Sequence, residues 1–346
     1  MSDRNYTRKE LDAALATMGI RGALDIRRYG SGHINDTFMV ETDRGARFIL
    51  QRVNTDIFEP HILKRNILRV TRHLRRKGVR SLEVVGYENP WRAYAFLDGY
   101  TSSDLVENPA QAEFIASAFA KFQNDLADLP EPRLDEIIPH FHDTVDRLRQ
   151  LDEAAAKDVK GRRGAVSKEL AFVDAHREEA ATIVKLMASG DIPERITHND
   201  TKINNVMLAR DGSNIVIDLD TTMPGSALYD FGDMVRTASA AAAEDERDLG
   251  KVYSKKEYFE ALVKGYLAQA KFLNEAELAH LAFSARLITL TIGIRFLTDY
   301  LAGDTYFRTT CEDHNLVRCR TQFKMVESME AQAAEYEEIV RHYAKQ

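Results

Sequence analysis

The sequence contains few cysteines and no long apolar run. Only two of its 346 residues are cysteines, Cys311 and Cys319, and their spacing does not match that of metal ligands, so we expect free thiols in a reducing cytoplasm. No stretch of 18 or more residues is apolar throughout, because Arg286 and Arg295 interrupt the most apolar segment, residues 281–297. The first five residues lack the apolar core of a secretory signal. These absences argue against a disulfide scaffold and predict a chain that neither spans a membrane nor is exported.

The charge of the chain is acidic overall and unevenly distributed. The formal net charge is −7, yet residues 1–98 hold 18 Lys and Arg against 12 Asp and Glu, whereas the remainder holds 29 against 42. A chain with this balance lacks the electrostatic footprint of a duplex-binding protein. Its one basic cluster, residues 69–80, is typical of the solvated face of a helix. We therefore expect no nucleic-acid partner.

A β-rich segment precedes a mostly helical one. After a short helix near residues 8–18, the hydrophobic periodicity and the turn residues predict five strands and one further helix before residue 97. The strands are residues 24–29, 36–41, 47–53, 82–85 and 91–96, with the helix at residues 62–74. Later helices are predicted near residues 108–127, 137–152, 165–188, 254–270, 275–302 and 312–344. The order predicts an α+β chain with two lobes, residues 1–97 and residues 98–346.

The most informative motif is a polar loop followed by a short strand. It comprises His198, Asp200, Lys202, Asn205 and Asp218. Phosphoryl transfer from a Mg-nucleotide needs a carboxylate to orient the acceptor hydroxyl, oxygen ligands for the metal, and cations near the transferred group. These residue types occur here at the offsets of a kinase catalytic loop and its metal-binding strand, with the histidine bracing the loop backbone. The motif predicts a kinase that uses ATP and Mg²⁺.

Several segments resemble those of known small-molecule kinases. The spacing from His198 through Asp200 and Asn205 to Asp218 is similar to the His-x-Asp-x4-Asn loop of the aminoglycoside-phosphotransferase-like superfamily. Segments that resemble the N-acetylhexosamine 1-kinases of this superfamily are residues 30–35, 50–54, 91–92, 198–202, 217–225 and 296–304. The resemblance implies a bilobal protein-kinase-like fold. Its N-terminal lobe, a five-stranded antiparallel sheet with one helix, would bind the nucleotide. Its larger helical lobe would carry the catalytic loop and the acceptor pocket.

The polar residues of the motif have distinct expected roles. Asp200 would accept the proton of the acceptor hydroxyl, or align its oxygen with the γ-phosphorus. Lys202 would stabilise charge on the phosphoryl oxygens or form a salt bridge with a neighbouring acid. Asn205 and Asp218 offer hard oxygen ligands suited to Mg²⁺. Asp220 would project to the same face of the predicted strand as Asp218, either as a second ligand or as a support.

The expected nucleotide site lies in the N-terminal lobe. The residues assigned to it are Gly30, Ser31, Gly32, Arg52, Phe96, Leu97 and Asp98. The glycine-rich turn would bring backbone N–H groups close to phosphate oxygens. The third strand has no lysine, so its arginine is expected to bind the α- and β-phosphates, although the middle of the next helix has no glutamate to pair with it. The last three residues form a linker against which adenine would lie.

The acceptor pocket is expected to come mainly from the helical lobe. The residues assigned to it are His33, Asp200, Arg295, Asp299, Tyr300 and Tyr306. Arg295 interrupts an apolar helix and therefore needs a partner. That partner is either Asp299, four residues on, or the hydroxyl and N-acetyl groups of a sugar. Tyr306 would form an apolar wall beside the sugar ring.

The sequence therefore predicts a cytoplasmic small-molecule kinase of unknown oligomeric state. The resemblance implies that O1 of an N-acetylhexosamine is the acceptor, giving a sugar 1-phosphate. Aminoglycosides, homoserine and choline are alternative acceptors for kinases of this fold, because a fold does not determine a substrate. A non-catalytic nucleotide-binding regulator is the alternative from another class. It is disfavoured because Asp200, Asn205 and Asp218 are all present.

Overall fold

The structure, a computed structural model, describes residues 5–30 and 34–346. The chain divides into two compact units. The first contains the described residues up to Ser102 together with Asp128–Pro139 and Asn205–Met223, and the second contains Ser103–Ala127, His140–Asn204 and Pro224–Gln346. The compact units are therefore discontinuous in sequence, unlike the two continuous lobes predicted above.

The first unit is built on a five-stranded antiparallel sheet with the strand order β1–β2–β3–β5–β4. Its strands are β1 Ala23–Arg28, β2 Asp36–Thr42, β3 Arg47–Arg52, β4 Val84–Glu88 and β5 Trp91–Ala95. Each of them overlaps a predicted strand, so the expected sheet is confirmed. Short turns connect β2 to β3 and β4 to β5, which favours antiparallel pairing of these neighbours.

Two helices accompany this sheet. Helix α1 (Arg8–Thr17) begins with a capping box, and its Leu11 and Leu15 pack against the sheet residues Phe38, Val40 and Leu50. Helix α2 (Pro60–Arg76) connects β3 to β4 and has a basic last turn. Its cluster of basic residues is paired within the unit, for example Arg75 with Glu83 and Lys77 with Asp128. These exposed pairs fit the solvated helix face that the sequence predicts.

A second, smaller sheet explains why residues 205–223 belong to the first unit. It has three strands, β6 (Tyr100–Thr101), β8 (Val206–Ala209) and β9 (Asn214–Val216), in the order β6–β8–β9. Tyr100 pairs with Ala209 across more than a hundred residues of sequence. A local pattern does not reveal such a pairing, which is why the sequence alone suggested continuous lobes.

The second unit is mostly helical. Its helices are α3 Pro109–Leu126, α4 Thr144–Lys157, α5 Ser167–Ala180, α6 Thr182–Ser189, α7 Ala227–Ala238, α8 Lys256–Gln269, α9 Glu275–Ala302, α10 His314–Ala331 and α11 Ala333–Tyr343. It also has a short two-stranded sheet of β7 (Arg195–Thr197) and β10 (Met223–Gly225). Two helices predicted as continuous are each divided, at Ala181 and at Gln332. Neither break contains glycine or proline, so the sequence pattern gives no sign of it.

Helix α9 is the central helix of the second unit and packs against α4, α7 and α10. Gly232 allows the close approach of α7, because a Cβ atom there would lie only 2.4 Å from the carbonyl oxygen of Ser284. By length and composition α9 would qualify as a membrane span, but 72% of its most apolar window is buried, as in a core helix. Cys311 is exposed and Cys319 is buried, and both are free thiols, as predicted.

Candidate active site

Two buried carboxylates of α7 fix the loop that follows β7. Asp230 accepts hydrogen bonds from the backbone N–H groups of His198 and Asn199, at 2.8 and 2.7 Å. Asp233 accepts one from the N–H of Thr201, at 3.0 Å. Burial raises the pKa of Asp230 to about 7, against the effect of the donated N–H groups. Two carboxylates in the first turns of a buried helix therefore hold the backbone of this loop in place.

His198 is a structural residue of this loop. Its side chain is fully buried, and its ring lies against those of Phe119 and Phe122, with centroid distances of 5.1 and 5.9 Å. Its Nδ1 accepts a hydrogen bond from the backbone N–H of Asp200, at 3.3 Å. Because one ring nitrogen accepts from the backbone and the ring is packed between aromatic residues, His198 braces the loop, as the sequence predicts.

Asp200 and Lys202 lie at the accessible end of the same loop. Their side chains are 28% and 46% exposed, and Lys202 Nζ lies 2.7 Å from Asp200 Oδ1. The carboxylate of Asp200 raises the pKa of Lys202, so the amine stays protonated. The contact present is thus the salt bridge, one of the two alternatives predicted for Lys202. A carboxylate with an adjacent ammonium group is the arrangement that an incoming hydroxyl and a phosphoryl group require.

His142 is a buried residue that sequence reasoning missed. Its Nε2 lies 3.1 Å from the carbonyl oxygen of Asn199, the residue directly before the candidate catalytic residue Asp200. Burial lowers the pKa of His142 to about 4, so the ring is neutral near pH 7 and must carry its proton on Nε2 to donate to that carbonyl. The sequence around residue 142 carries no motif, and only the fold brings this ring to the loop.

Arg295 lies among three aromatic rings beside His142. Its guanidinium carbon is 5.0 Å from the ring centroid of Phe141, 5.6 Å from that of Tyr306 and 5.5 Å from that of Phe307. Its Nη2 donates to the Tyr306 hydroxyl at 3.3 Å, and the Tyr306 side chain is half exposed. The structure thus brings together two of the predicted acceptor residues, Arg295 and Tyr306. We call these four side chains the arginine–aromatic cluster.

A second arginine adds positive charge to this region. Arg147 donates from Nε and Nη2 to the carbonyl oxygen of Phe141, at 3.3 and 2.9 Å. Burial, together with the charge of Arg295, lowers the pKa of Arg147 to about 10. Within residues 5–30 and 34–346, no ion pair involves either arginine. The cluster is therefore cationic, with no acid of the described chain compensating it at contact distance.

Two of the predicted acceptor residues have other roles. Asp299 does not pair with Arg295, because its carboxylate accepts from the backbone N–H groups of Thr305, Tyr306 and Phe307, at 2.8–2.9 Å, and from the side chain of Asn315. With four donors, neither oxygen is available to a sugar. Asp299 instead fixes the loop that carries Tyr306, and the prediction of a substrate contact or an Arg295 partner is contradicted.

Tyr300 also differs from its predicted role. Its side chain is buried, and the guanidinium of Arg162 lies 4.3 Å from its ring centroid. Tyr300 follows Arg295 by five residues, which places the two side chains about 140° apart around the helix axis. Arg295 and Tyr300 therefore do not share one face of the helix, contrary to the prediction. Tyr300 packs against a different part of the unit from the arginine–aromatic cluster.

In the first unit, Asn205 and Asp218 flank the open end of the β8–β9 hairpin. Val206 pairs with Val216, and the N–H of Ile217 donates to the carbonyl oxygen of Asn205 at 2.9 Å. Asp218 follows with φ +56°, a left-handed conformation that aspartate tolerates better than most residues. The pairing places an amide and a carboxylate at the same end of two paired strands. This all-oxygen donor set fits Mg²⁺, with phosphate oxygens and water completing the coordination.

Asp220 is an ion-pair partner within the first unit. Strand β9 ends at Val216, so Asp220 lies in a short 3₁₀ turn, and the alternation assumed from the sequence does not apply. Its Oδ1 lies 2.6 Å from Arg92 Nη1, a contact without hydrogen-bond alignment, and its Oδ2 accepts from Arg92 Nη2 at 2.8 Å. Burial opposes the charge of Arg92, but Asp220 raises the pKa of the guanidinium well above its usual value. Of the two alternatives, this contact favours the support.

Arg52 lies on the face of the sheet opposite to Arg92. Side chains alternate along β3, so Arg52 shares the face of Leu50, which packs on α1, whereas Gln51 points to the other face and accepts from Arg92 Nε at 3.0 Å. Arg52 lines a surface hollow of about 340 Å³ together with Trp91 and residues of α1. Arg52 therefore lies on the face of the sheet opposite to Asp220, and its predicted contact with the α- and β-phosphates stays a prediction.

The remaining nucleotide residues are only partly described. Gly30 has φ +78°, which suits the predicted turn, whereas Ser31, Gly32 and His33 lie outside the described residues. In the linker, the guanidinium of Arg47 lies 4.5 Å from the ring centroid of Phe96 and forms an ion pair with Asp98. The carbonyl oxygen of Leu97 accepts from the N–H of Tyr100. These contacts leave the adenine site a prediction.

Comparison with known proteins identifies the fold. A family model described as a phosphotransferase enzyme family matches residues 25–271. The chain is similar to a Plasmodium vivax ethanolamine kinase, with a TM-score of 0.63 and 15% identity over 93% of this chain and 91% of that one. It is also similar to a choline kinase from Streptococcus pneumoniae, with a TM-score of 0.59 and 11% identity over 93% and 98%.

A third solved structure carries a nucleotide. It is an amicoumacin kinase in complex with AMP-PNP and Ca²⁺, with a TM-score of 0.61 and 14% identity over 92% of this chain and 96% of that one. Identities this low show the fold alone. The similarity to these three structures confirms the predicted α+β kinase-like fold, with its five-stranded antiparallel sheet and helical C-terminal part.

Proposed function

Because the chain belongs to the phosphotransferase enzyme family, we propose that it is a Mg²⁺-dependent, ATP-using kinase that phosphorylates O1 of an N-acetylhexosamine. The family supports a small-molecule kinase, and the similar amicoumacin kinase binds a nucleotide analogue. The proposed location is the cytoplasm, where two free thiols remain reduced. The choice of acceptor depends on the arginine–aromatic cluster.

The observation that carries this choice is the positive charge of the cluster and its neighbour Arg147, because neither Arg295 nor Arg147 forms an ion pair among the described residues. Choline, ethanolamine and aminoglycosides are cations, and sites for such groups use acids or free aromatic faces. Here the rings of Phe141, Tyr306 and Phe307 already face the guanidinium of Arg295, and Arg147 adds a second positive charge. A cationic acceptor would be repelled. A neutral sugar offers hydroxyl and acetamide oxygens that accept from Arg295, and an apolar ring face for Tyr306.

The chemistry requires little from the protein besides positioning. O1 of the sugar attacks the γ-phosphorus, the bond to the β,γ-bridging oxygen breaks, and ADP leaves. Asp200 aligns O1 and takes its proton as the new bond forms. The anomeric hydroxyl is more acidic than an ordinary alcohol, so one carboxylate suffices late in a loose transition state. Lys202, protonated beside Asp200, places positive charge near the transferred oxygens.

Two residues of the hairpin would hold the metal. Asn205 would contribute its amide oxygen and Asp218 its carboxylate. A bound Mg²⁺ would neutralise charge on the phosphate oxygens of the nucleotide. Asp220, occupied by Arg92, is left out of this donor set.

The proposal is tested by ADP release over a panel of acceptors. The panel contains N-acetylglucosamine, N-acetylgalactosamine, glucose, an aminoglycoside, homoserine, choline and ethanolamine. We expect turnover with an N-acetylhexosamine and a phosphorus NMR signal coupled to the anomeric proton. Turnover with an amine and none with a hexosamine would refute the sugar assignment, and nucleotide binding without any turnover would indicate a regulator.

A matched pair of variants tests the cluster. Arg295→Met removes the guanidinium and is expected to raise KM for the sugar by about tenfold or more, the loss of one or two hydrogen bonds. Arg308→Met changes an exposed arginine on the loop that carries Tyr306 and should leave KM unchanged. Equal effects of the two substitutions would show that Arg295 does not recognise the acceptor.

A further inference from the structure

A chain of side-chain contacts crosses the face of the first sheet opposite to α1. From the backbone N–H of Asn54, a hydrogen bond of 3.0 Å runs to Asn35 Oδ1. From Asn35 Nδ2, one of 2.6 Å runs to Asp220 Oδ2, which also accepts from Arg92 at 2.8 Å. Arg92 in turn donates to Gln51 Oε1 at 3.0 Å. One carboxylate thus connects three strands of the sheet to the turn after Asp218.

Two members of this series of contacts, Asn35 and Asp220, adjoin the segments expected to contact the nucleotide. Asn35 directly precedes β2 and closes the segment that begins at Gly30. Asp220 lies two residues after Asp218, the candidate metal ligand with a left-handed backbone. The link is therefore short at both ends, so a displacement of Asp220 or Asn35 would shift the neighbouring site residue.

Helix α2 has no acidic residue that could pair with a cation of the sheet. Kinases often pair a strand cation with a glutamate on the following helix, but here Glu59 caps the helix N-terminus, where its side chain accepts from the N–H of His61. Further along, Asn66 bonds the backbone of Asp135 and of Thr222 instead of a cation. Arg92 and Asp220, 1% and 5% exposed, form the buried ion pair of this face.

We propose that Asp220 is a positioning residue: together with Arg92 and Asn35 it forms a clamp that holds Asp218 in its metal-binding place beside the start of β2. This inference rests on the proposed function, since it concerns binding of the Mg-nucleotide. Asp220 Oδ2 accepts from both Arg92 and Asn35, and Oδ1 lies in the ion pair with Arg92, so in this proposal Asp220 acts on the metal through Asp218.

The test measures nucleotide affinity with and without metal, which requires no acceptor. The dissociation constant of ADP is determined by titration calorimetry in Mg²⁺ and in EDTA, for the full chain and for Asn35→Ala. We expect the variant to lose on the order of tenfold in Mg-ADP affinity, the loss of one hydrogen bond to a charged group, and little in EDTA. A variant that is only destabilised would weaken both values equally, or neither.

Thr42→Val is the matched control. Thr42 is a buried residue at the other end of β2, and its hydroxyl exchanges hydrogen bonds with the backbone of Ala46. Its loss disturbs the same sheet without touching the clamp. We expect unchanged Mg-ADP affinity, and a loss equal to that of Asn35→Ala would overturn the proposal.

A double-mutant cycle tests whether Asn35 and Asp220 act as one unit. If Asn35 acts through Asp220, Asp220→Asn should weaken Mg-ADP binding, and adding Asn35→Ala should cause little further loss. Additive losses would mean that Asn35 and Asp220 act independently of each other, which overturns the proposed clamp. Because an unpaired buried arginine destabilises a fold, Arg92→Gln with Asp220→Asn is included as a neutral pair. That pair should reproduce the metal-dependent loss.

The outcomes also distinguish this inference from the proposed function. Wild-type protein that binds Mg-ADP but phosphorylates no acceptor refutes the kinase assignment and leaves the clamp to be decided by the variants. Wild-type turnover with normal metal dependence in Asn35→Ala refutes only the clamp. Wild-type protein whose ADP affinity does not respond to Mg²⁺ refutes both.

Discussion

The neutral, buried state of His142 predicts a specific acid sensitivity of the fold. The pKa of His142 is lowered from 6.5 to about 4, chiefly by burial; Asp233 raises it, and Arg295 lowers it further. Between these two pH values the unfolded chain binds a proton that the folded chain does not, so stability rises with pH. The contribution of the neutral His142 ring to the free energy of unfolding is present above pH 6.5 and is lost as the pH falls toward 4.

The size of the effect follows from the pKa difference. A gap of about 2.5 units corresponds to roughly 3.4 kcal/mol when the titration is complete. At pH 5 the same two pKa values give a loss of about 2 kcal/mol relative to pH 8. The assay is urea unfolding followed by circular dichroism at pH 8, 7, 6 and 5, for the wild type and for His142→Gln, whose amide can still donate to the Asn199 carbonyl.

The wild type should lose about 2 kcal/mol more than His142→Gln between pH 8 and pH 5. His140→Asn, which changes an exposed histidine two residues away, should follow the wild type. Parallel curves for the wild type and His142→Gln would refute the reasoning, because they would show that His142 binds its proton equally in the folded and unfolded chain.

Three substitutions test the other assigned roles. Asp200→Asn should lower kcat by about a hundredfold or more and leave Mg-ATP affinity unchanged, and near-normal turnover would contradict the role of Asp200 as base or aligning group. Asp218→Ala should weaken Mg-ATP binding by calorimetry, and an equal affinity with and without Mg²⁺ in the wild type would contradict the metal site. Asp299→Ala leaves three backbone N–H groups and the side chain of Asn315 without the carboxylate to which they donate, so it should cost about 3 kcal/mol in urea unfolding and raise KM for the phosphoryl acceptor. A change in KM without a change in stability would mean that Asp299 contacts the substrate after all.

Within the candidate site, local sequence patterns predict the elements better than the partners. The spacing from Asp200 to Asn205 and Asp218 predicts a loop and a hairpin, and the structure has both, because such a turn is determined by neighbouring residues. The bracing role of His198 was also predictable, since its backbone position in the loop type fixes what its ring can reach. These features depend on residues that are close in sequence.

Other features could not be read from the sequence because they concern which face or which distant residue a side chain meets. Arg52 follows the alternation of β3, but only the packing of α1 decides which face of the sheet is covered. The prediction for Asp299 rested on its position four residues after Arg295. In the structure, the backbone of residues 305–307 folds back toward Asp299 and donates hydrogen bonds to its carboxylate. Periodicity gives spacing along an element, not the identity of what packs against it.

By itself, the sequence determined the α+β class, the five strands and the polar loop of a phosphoryl-transfer site, since hydrophobic alternation and motif spacing are local properties of the chain. Only the tertiary structure decided that Asp220 meets Arg92, 128 residues away, and that His142 reaches the carbonyl before Asp200. A buried ion pair or a buried histidine gains its partner only when distant segments pack together. The tertiary structure, and not the local motif, therefore determines the protonation and the contacts of such residues.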